Sequence, residues 1–133
     1  MQIMRGKIIR MEFVTRSIVK KNPETIFVYG DNMEGRGLKG QAAAMRGEPN
    51  TIGVPTKWRP DMREESFFTN EDWHNADVRH AIRGAFIRIE EHLSNGHDVV
   101  IPSAGLGTGL AQLEMRAPKI HEFIEASIFA LEG

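Results

Sequence analysis

The chain contains no cysteine, which excludes disulfides, thiolate zinc sites, iron–sulfur clusters and a cysteine nucleophile, and fits a reducing, cytoplasmic setting. It also lacks any apolar run approaching the roughly 20 residues of a membrane span. The N-terminal stretch MQIMRGKIIRMEFV alternates charged and apolar residues, so it holds no signal-peptide core. A basic excess is missing as well. Lysine and arginine number 17 against 18 acidic residues, a net charge of −1, whereas a protein held by the phosphates of a nucleic acid shows a basic excess or a basic stripe. His74, His80, His92, His97 and His121 are scattered without ligand spacing, so neither a metal site nor a cofactor is expected. These absences leave a small-molecule ligand as the expected partner and no membrane. The oligomeric state is not legible.

What is present reads as one domain over residues 1–133. The length suffices for a single core, and 41% hydrophobic with 26% charged residues is an ordinary globular balance. From Lys7 to Val14 apolar and charged residues alternate, which predicts a strand with Ile9, Met11 and Phe13 inward and Arg10 and Glu12 wet. Thr25–Tyr29 and Asp98–Pro102 are apolar, β-branched runs of the kind buried on both faces, and Thr51–Val54 is a shorter one. Leu38–Arg46 is Ala-rich and predicts a short helix. Val78, Ile82, Ala85, Phe86, Ile89 and Leu93 recur at helical spacing before the Asn95-Gly96 stop, with Thr69 and Asp72 spaced as a capping box at the start. A last helix begins at Pro118 and carries Ile120, Phe123, Ile124, Ile128 and Leu131. Strands alternating with helices predict an α/β fold, a mixed sheet flanked by helices, with ligands at the carboxyl ends of the strands.

Two glycine-rich loops each follow a buried strand. The first, GDNMEGRGLKGQAAAM, holds Gly30, Gly35, Gly37 and Gly40; the second, SAGLGTGLAQL, holds Gly105, Gly107 and Gly109. Glycine lets peptide N–H groups approach a ligand closely, and successive N–H groups form an anion site. A P-loop is excluded, because Gln41 and Ala42 stand where its Lys and Ser/Thr belong. Gly35, Gly37 and Gly40 have the dinucleotide spacing, yet Gly30–Glu34 separates them from the strand and no acidic residue follows the next one. An NAD(P)-dependent enzyme is therefore a weak alternative.

The two segments together resemble the macrodomain, a fold that binds ADP-ribose and related nucleotides. The carriers are the Asn-containing turn at Asn32 before glycines that open a helix, and the late strand ending in Pro102 before a Thr-Gly loop. More narrowly, GDN (30–32), GRG (35–37), GQA (40–42), GVPTK (53–57), GLGTGLA (105–111) and AP (117–118) resemble small macrodomain-like proteins of bacteria and phages. The resemblance implies an ADP-ribose-type nucleotide as ligand, hydrolase activity on ADP-ribosyl derivatives as an open question, and the cytoplasm of a bacterium or phage-infected host as location.

On these readings Asp31 and Asn32 are the catalytic candidates, as base and ribose contact, with an ordinary Asx turn as the alternative. Arg36 and Lys39 could pair with phosphate; Gln41 could read a polar ligand edge or cap the helix. Lys57 could reach the same rim, and Trp58 could stack on a base or cover the core. Ser103, Ala104, Gly105, Leu106, Gly107, Thr108 and Gly109 form the second half of the cradle. A nucleic-acid or protein-interaction module remains open, with Arg59, Arg63, Arg79 and Arg83 as a local basic face.

Overall fold

The computed structural model describes residues 3–133; Met1 and Gln2 of the N-terminal stretch lie outside the described residues. Four strands, β1 (Ile8–Met11), β2 (Ile26–Asp31), β3 (Thr51–Pro55) and β4 (Val99–Pro102), form one sheet in the order β1-β4-β2-β3. Every pairing in it is parallel. The domain is α/β, as the alternation of elements predicts, but the sheet is parallel throughout rather than mixed. Each connection between strands carries a helix, which returns the chain to the same end of the sheet. The sole antiparallel pairing among the described residues outside it is an isolated bridge between Lys57 and Phe67.

The strands' apolar runs separate two cores. Ile26 and Val28 face the larger one, with Phe68, Val99, Ile101 and the buried stripes of α3 (Ala76–Ser94) and α5 (Pro118–Glu132). Phe27, Tyr29 and Val100 face the smaller one, beneath α1 (Arg16–Lys21) and α2 (Ala42–Met45). Each of these fully buried aliphatic or aromatic side chains contributes about 1.5–3 kcal/mol relative to exposure. The strand at Lys7–Val14 is shorter than its pattern, and its expected inner face is overturned. Ile9 is 37% and Phe13 78% exposed, because β1 is an edge strand that ends before Phe13. Of the expected inner residues only Met11 packs, on the smaller core, while Ile8 packs on the larger one.

Helix α3 is built as the periodicity requires, with Val78, Ile82, Ala85, Phe86, Ile89 and Leu93 buried. Its N-cap is Asn75, whose side chain accepts from Asp77 N at 2.9 Å and Val78 N at 3.2 Å. The Thr69–Asp72 box belongs to a separate 3-10 turn, Asn70–His74, where Asp72 accepts the Thr69 N–H at 2.8 Å. Gly96 stops α3 at a φ of 90°. Helix α2 is shorter than the run Leu38–Arg46, since residues before Ala42 form the glycine loop. Two helices went unforeseen: α1, capped by Thr15 Oγ1 accepting from Ile18 N, and α4 (Leu113–Arg116). Among the described residues no helix is long and apolar enough to cross a membrane.

The topology positions the site. From β2 the chain leaves toward α2 on one face, and from β4 toward α5 on the other. The two strands pair only at Ile26–Val99 and Phe27–Val100. Beyond those pairs their carboxyl ends stand apart, which is where open α/β sheets hold ligands.

Candidate functional site

A cleft of about 630 Å³ opens at that point, between the loop after β2, the end of β3 and the loop after β4. Its size is that of a small-molecule pocket. Of the residues expected to bind or react, Gly30, Asp31, Asn32, Arg36, Gly37, Gly40, Gln41, Lys57, Gly107 and Gly109 line it. Gly35, Ser103, Ala104, Gly105, Leu106 and Thr108 do not. Ser103 and Ala104 are exposed away from the cleft, and the Ser103 N–H donates to Met11 O. Leu106 is a fully buried core residue. Thr108 Oγ1 donates to Ala104 O at 2.9 Å within its own loop. Gly35 closes the Asn32 turn by donating to Asn32 O at 3.1 Å. The second loop thus turns only its Gly107–Ala111 part toward the ligand space.

Asp31 is not a free base. Its carboxylate takes a fork from Arg46, at 2.5 and 3.3 Å, and the Asn32 N–H at 2.7 Å. It also sits over Gly53, where a Cβ would lie 2.6 Å from Asp31 Oδ2. Asn32, 7% exposed, accepts the Glu34 N–H and donates to Arg36 O at 2.8 Å. That is the Asx-turn reading of the pair: both side chains shape the loop.

Arg46 is the residue that sequence reasoning missed. Beyond Asp31 it donates to Gly37 O at 2.7 Å and Arg36 O at 3.2 Å, and its guanidinium lies 5.6 Å from the Tyr29 ring centre. The hydrogen bond that Arg46 donates to the Asp31 carboxylate holds the Arg46 pKa above its ordinary value. Burial first, then the Asp31 charge, does the same to the Tyr29 phenol, with Arg46 opposing. The available signal was an arginine soon after a loop that begins with a strand-end aspartate.

The Gln41 side chain does not cap α2. Its Oε1 accepts the Gly30 N–H at 2.7 Å and its Nε2 donates to Gly105 O at 3.2 Å, so one amide ties the two loops together. The approach is close. A Cβ on Gly30 would lie 3.2 Å from Gly107 N, and one on Gly107 would lie 2.8 Å from Thr56 Cβ and Cγ2.

The hydrogen-bond inventory of both loops has one consistent feature. The peptide N–H groups from Arg36 through Ala42, and from Leu106 through Ala111, donate to no acceptor among the described residues. Most of these residues line the cleft, on opposite sides of it. Successive N–H groups form an anion site where they converge; the carbonyls of Leu38, Lys39, Leu110 and Ala111 in the same loops likewise accept no hydrogen bond among the described residues.

A family of unknown function, DUF7831, matches residues 9–127. The chain belongs to that family. The matched segment runs from β1 into α5, so this DUF7831 member shares all the elements around the cleft with the family description. No curated protein and no solved structure matches it.

In this DUF7831 chain Lys57 is buried, 6% exposed, not the surface lysine its composition class would give. Its Nζ donates to Asp61 O at 2.6 Å, lies 3.7 Å from Met62 Sδ and stands 4.4 Å from the Phe67 ring centre. No carboxylate pairs with it among the described residues. Burial lowers its pKa, the Asp61 charge opposes that shift and Arg116 adds to it. Arg116 also lies against Phe67, 3.8 Å from its ring centre, and pairs with Glu64 at 2.6 Å. Asp61 is held well below the usual carboxylate range by hydrogen bonds from the Arg63 side chain and then Ser66.

The remaining candidates fall elsewhere. Trp58 meets Phe68 edge-on at 5.3 Å and so covers the core. Arg59 pairs with Glu34, and Arg63 with Asp61 and Glu65. Arg79 donates to Trp73 O, and Arg83 lies over Trp73 and Phe123. Of these four, Arg59 and Arg63 are paired with carboxylates, while Arg79 and Arg83 are not. Among the described residues no group of acidic, His or Cys side chains could hold a metal ion.

Proposed function

We propose that the cleft binds a phosphorylated nucleotide of the ADP-ribose class, as a macrodomain-like module would. The observation that carries this reading is the pair of facing loops whose N–H groups, Arg36–Ala42 and Gly107–Ala111, are unpaired. A diphosphate is the ligand chemistry that uses many converging donors at once. Lys57 supplies a buried positive charge on the same wall, and Lys39 supplies an exposed one at the rim, where Arg36 pairs with Glu34 at 2.8 Å.

Binding without turnover is the better-supported activity. Hydrolysis of an ADP-ribosyl bond needs a base to activate water, and Asp31 is committed to Arg46 and Asn32. The test is calorimetry of the full chain with ADP-ribose, combined with amide hydrogen exchange. Saturable one-to-one binding, weakened by salt and by Lys57→Met, is expected. Slowed exchange should be confined to residues 36–42 and 106–111. A folded sample that gives no heat, or protection elsewhere, refutes the reading.

A further inference from the structure

A lysine taken out of water normally meets a carboxylate, since an unpaired buried charge is destabilising. The surroundings of the Lys57 amine are neutral instead. Its Nζ donates to Asp61 O at 2.6 Å, lies 3.7 Å from Met62 Sδ and stands 4.4 Å from the Phe67 ring centre. The Asp61 carboxylate is turned to other donors, the Arg63 guanidinium at 2.9 Å and the Ser66 hydroxyl at 2.5 Å. A second cation, Arg116, lies over the same Phe67 ring.

Desolvation and a neighbouring cation both favour the neutral form of a lysine, and the neutral amine is the nucleophile. Both influences act on Lys57: burial is the larger, the Asp61 charge opposes it, and Arg116 adds to it. The amine is also within reach of a ligand, because Lys57, Pro60 and Asp61 line the cleft together. The other lysines, Lys7, Lys20, Lys21, Lys39 and Lys119, are exposed, and of these Lys39 alone lines the cleft.

We propose that Lys57 is a nucleophilic amine that forms an imine with the aldehyde or ketone carbon of a phosphorylated sugar held in the cleft. The unprotonated Nζ adds to the carbonyl carbon, and a proton passes from nitrogen to oxygen to give a carbinolamine. That oxygen then leaves as water and the carbon–nitrogen double bond forms, so the step is a condensation with no change of oxidation state. It rests on the phosphate reading above for the handle that delivers the ligand, and goes beyond it in giving the cleft covalent chemistry.

The experiment treats the full chain with cyanoborohydride and either glyceraldehyde 3-phosphate or glyceraldehyde, then maps the modified lysines by peptide mass spectrometry. Reduction converts an imine to a stable secondary amine wherever one has formed. Lys57 should be labelled several-fold ahead of every exposed lysine, with the phosphorylated aldehyde effective at lower concentration. Excess ADP, which carries no carbonyl, should suppress the label on Lys57 and spare Lys7, Lys20, Lys21 and Lys119. Lys57→Arg, which keeps the charge, should lose the preferred label; the comparison among lysines of the wild-type chain holds whether or not that variant folds. A label on Lys57 no greater than on the exposed lysines overturns the proposal, and the nucleotide reading survives if ADP-ribose still binds in calorimetry. Preferential labelling of Lys57 that is equal for both aldehydes and indifferent to ADP overturns the phosphate as the handle, in this proposal and in the reading it rests on.

Discussion

The Asp31–Arg46 pair decides whether the strand-end aspartate is a loop anchor or a reactive group. The two side chains are 13% and 18% exposed and meet as a fork at 2.5 and 3.3 Å. Exposed ion pairs contribute about 0.2–1 kcal/mol, and removing one partner of a fully buried pair costs about 3–5 kcal/mol. This geometry lies between those limits. Arg46→Met also frees the carbonyl of Gly37 and removes one of the two hydrogen bonds to that of Arg36, so a loss of about 2–3 kcal/mol is expected from the unpaired carboxylate and the lost hydrogen bonds together. Asp31→Asn keeps the shape and removes the charge. If the two act as a unit, the double variant is less unstable than the sum of the singles by about 1–2 kcal/mol. Urea unfolding followed by circular dichroism reads all four corners of the cycle. Single losses below about 0.5 kcal/mol, adding without coupling, would refute the anchor and return Asp31 to the list of free groups.

Four further outcomes follow from the same contacts. Gly107→Ala forces a side chain to a φ of 77° and a Cβ 2.8 Å from Thr56 and 3.1 Å from Leu113; a loss of about 2–4 kcal/mol is expected in thermal melts, and an unchanged melting temperature would disprove the close approach. Gln41→Ala should cost about 1–2 kcal/mol and speed exchange of the Gly30 amide, whose protection its Oε1 supplies. Lys57→Met should raise stability at neutral pH while weakening anion binding, because the wild type there buries a charge without a carboxylate partner. Since burial holds the Lys57 pKa below its ordinary value, the folded protein releases that proton before the unfolded chain does. Wild-type stability then gains as pH rises through that window, and the gap to Lys57→Met should narrow at alkaline pH; a gap independent of pH would count against the buried charge. Asn75→Ala removes both caps of α3 and should cost about 1 kcal/mol, with Thr69→Ala leaving the first turn of α3 equally protected from exchange.

The elements readable from the sequence are those whose burial follows a local pattern. The runs at Ile26–Tyr29 and Val99–Pro102 are apolar on both faces because helices cover both sides of the sheet, and the stripe from Val78 to Leu93 repeats because one face of α3 is buried. Position in the sheet is not local. Nothing near Ile9 or Phe13 tells that β1 is an edge, so the alternation there misplaces the buried face. Likewise α1 is short and mostly polar, and only Thr15 signals it.

The same division runs through the cleft and explains its chemistry. Glycines reveal the loops, since backbone that must take a positive φ, as at Gly37 and Gly107, narrows the choice of residue. The acceptor side chains near those glycines are consumed by partners elsewhere in the chain: Gln41 Oε1 takes the Gly30 N–H, and Asp31 meets Arg46. Glycine-rich loops have no side chains of their own to hold them in place, so neighbouring amides and carboxylates supply the ties, and those ties use oxygens. Holding the loops therefore uses side-chain oxygens and leaves the loops' N–H groups unspent. The anion binding proposed for the cleft draws on those unspent groups.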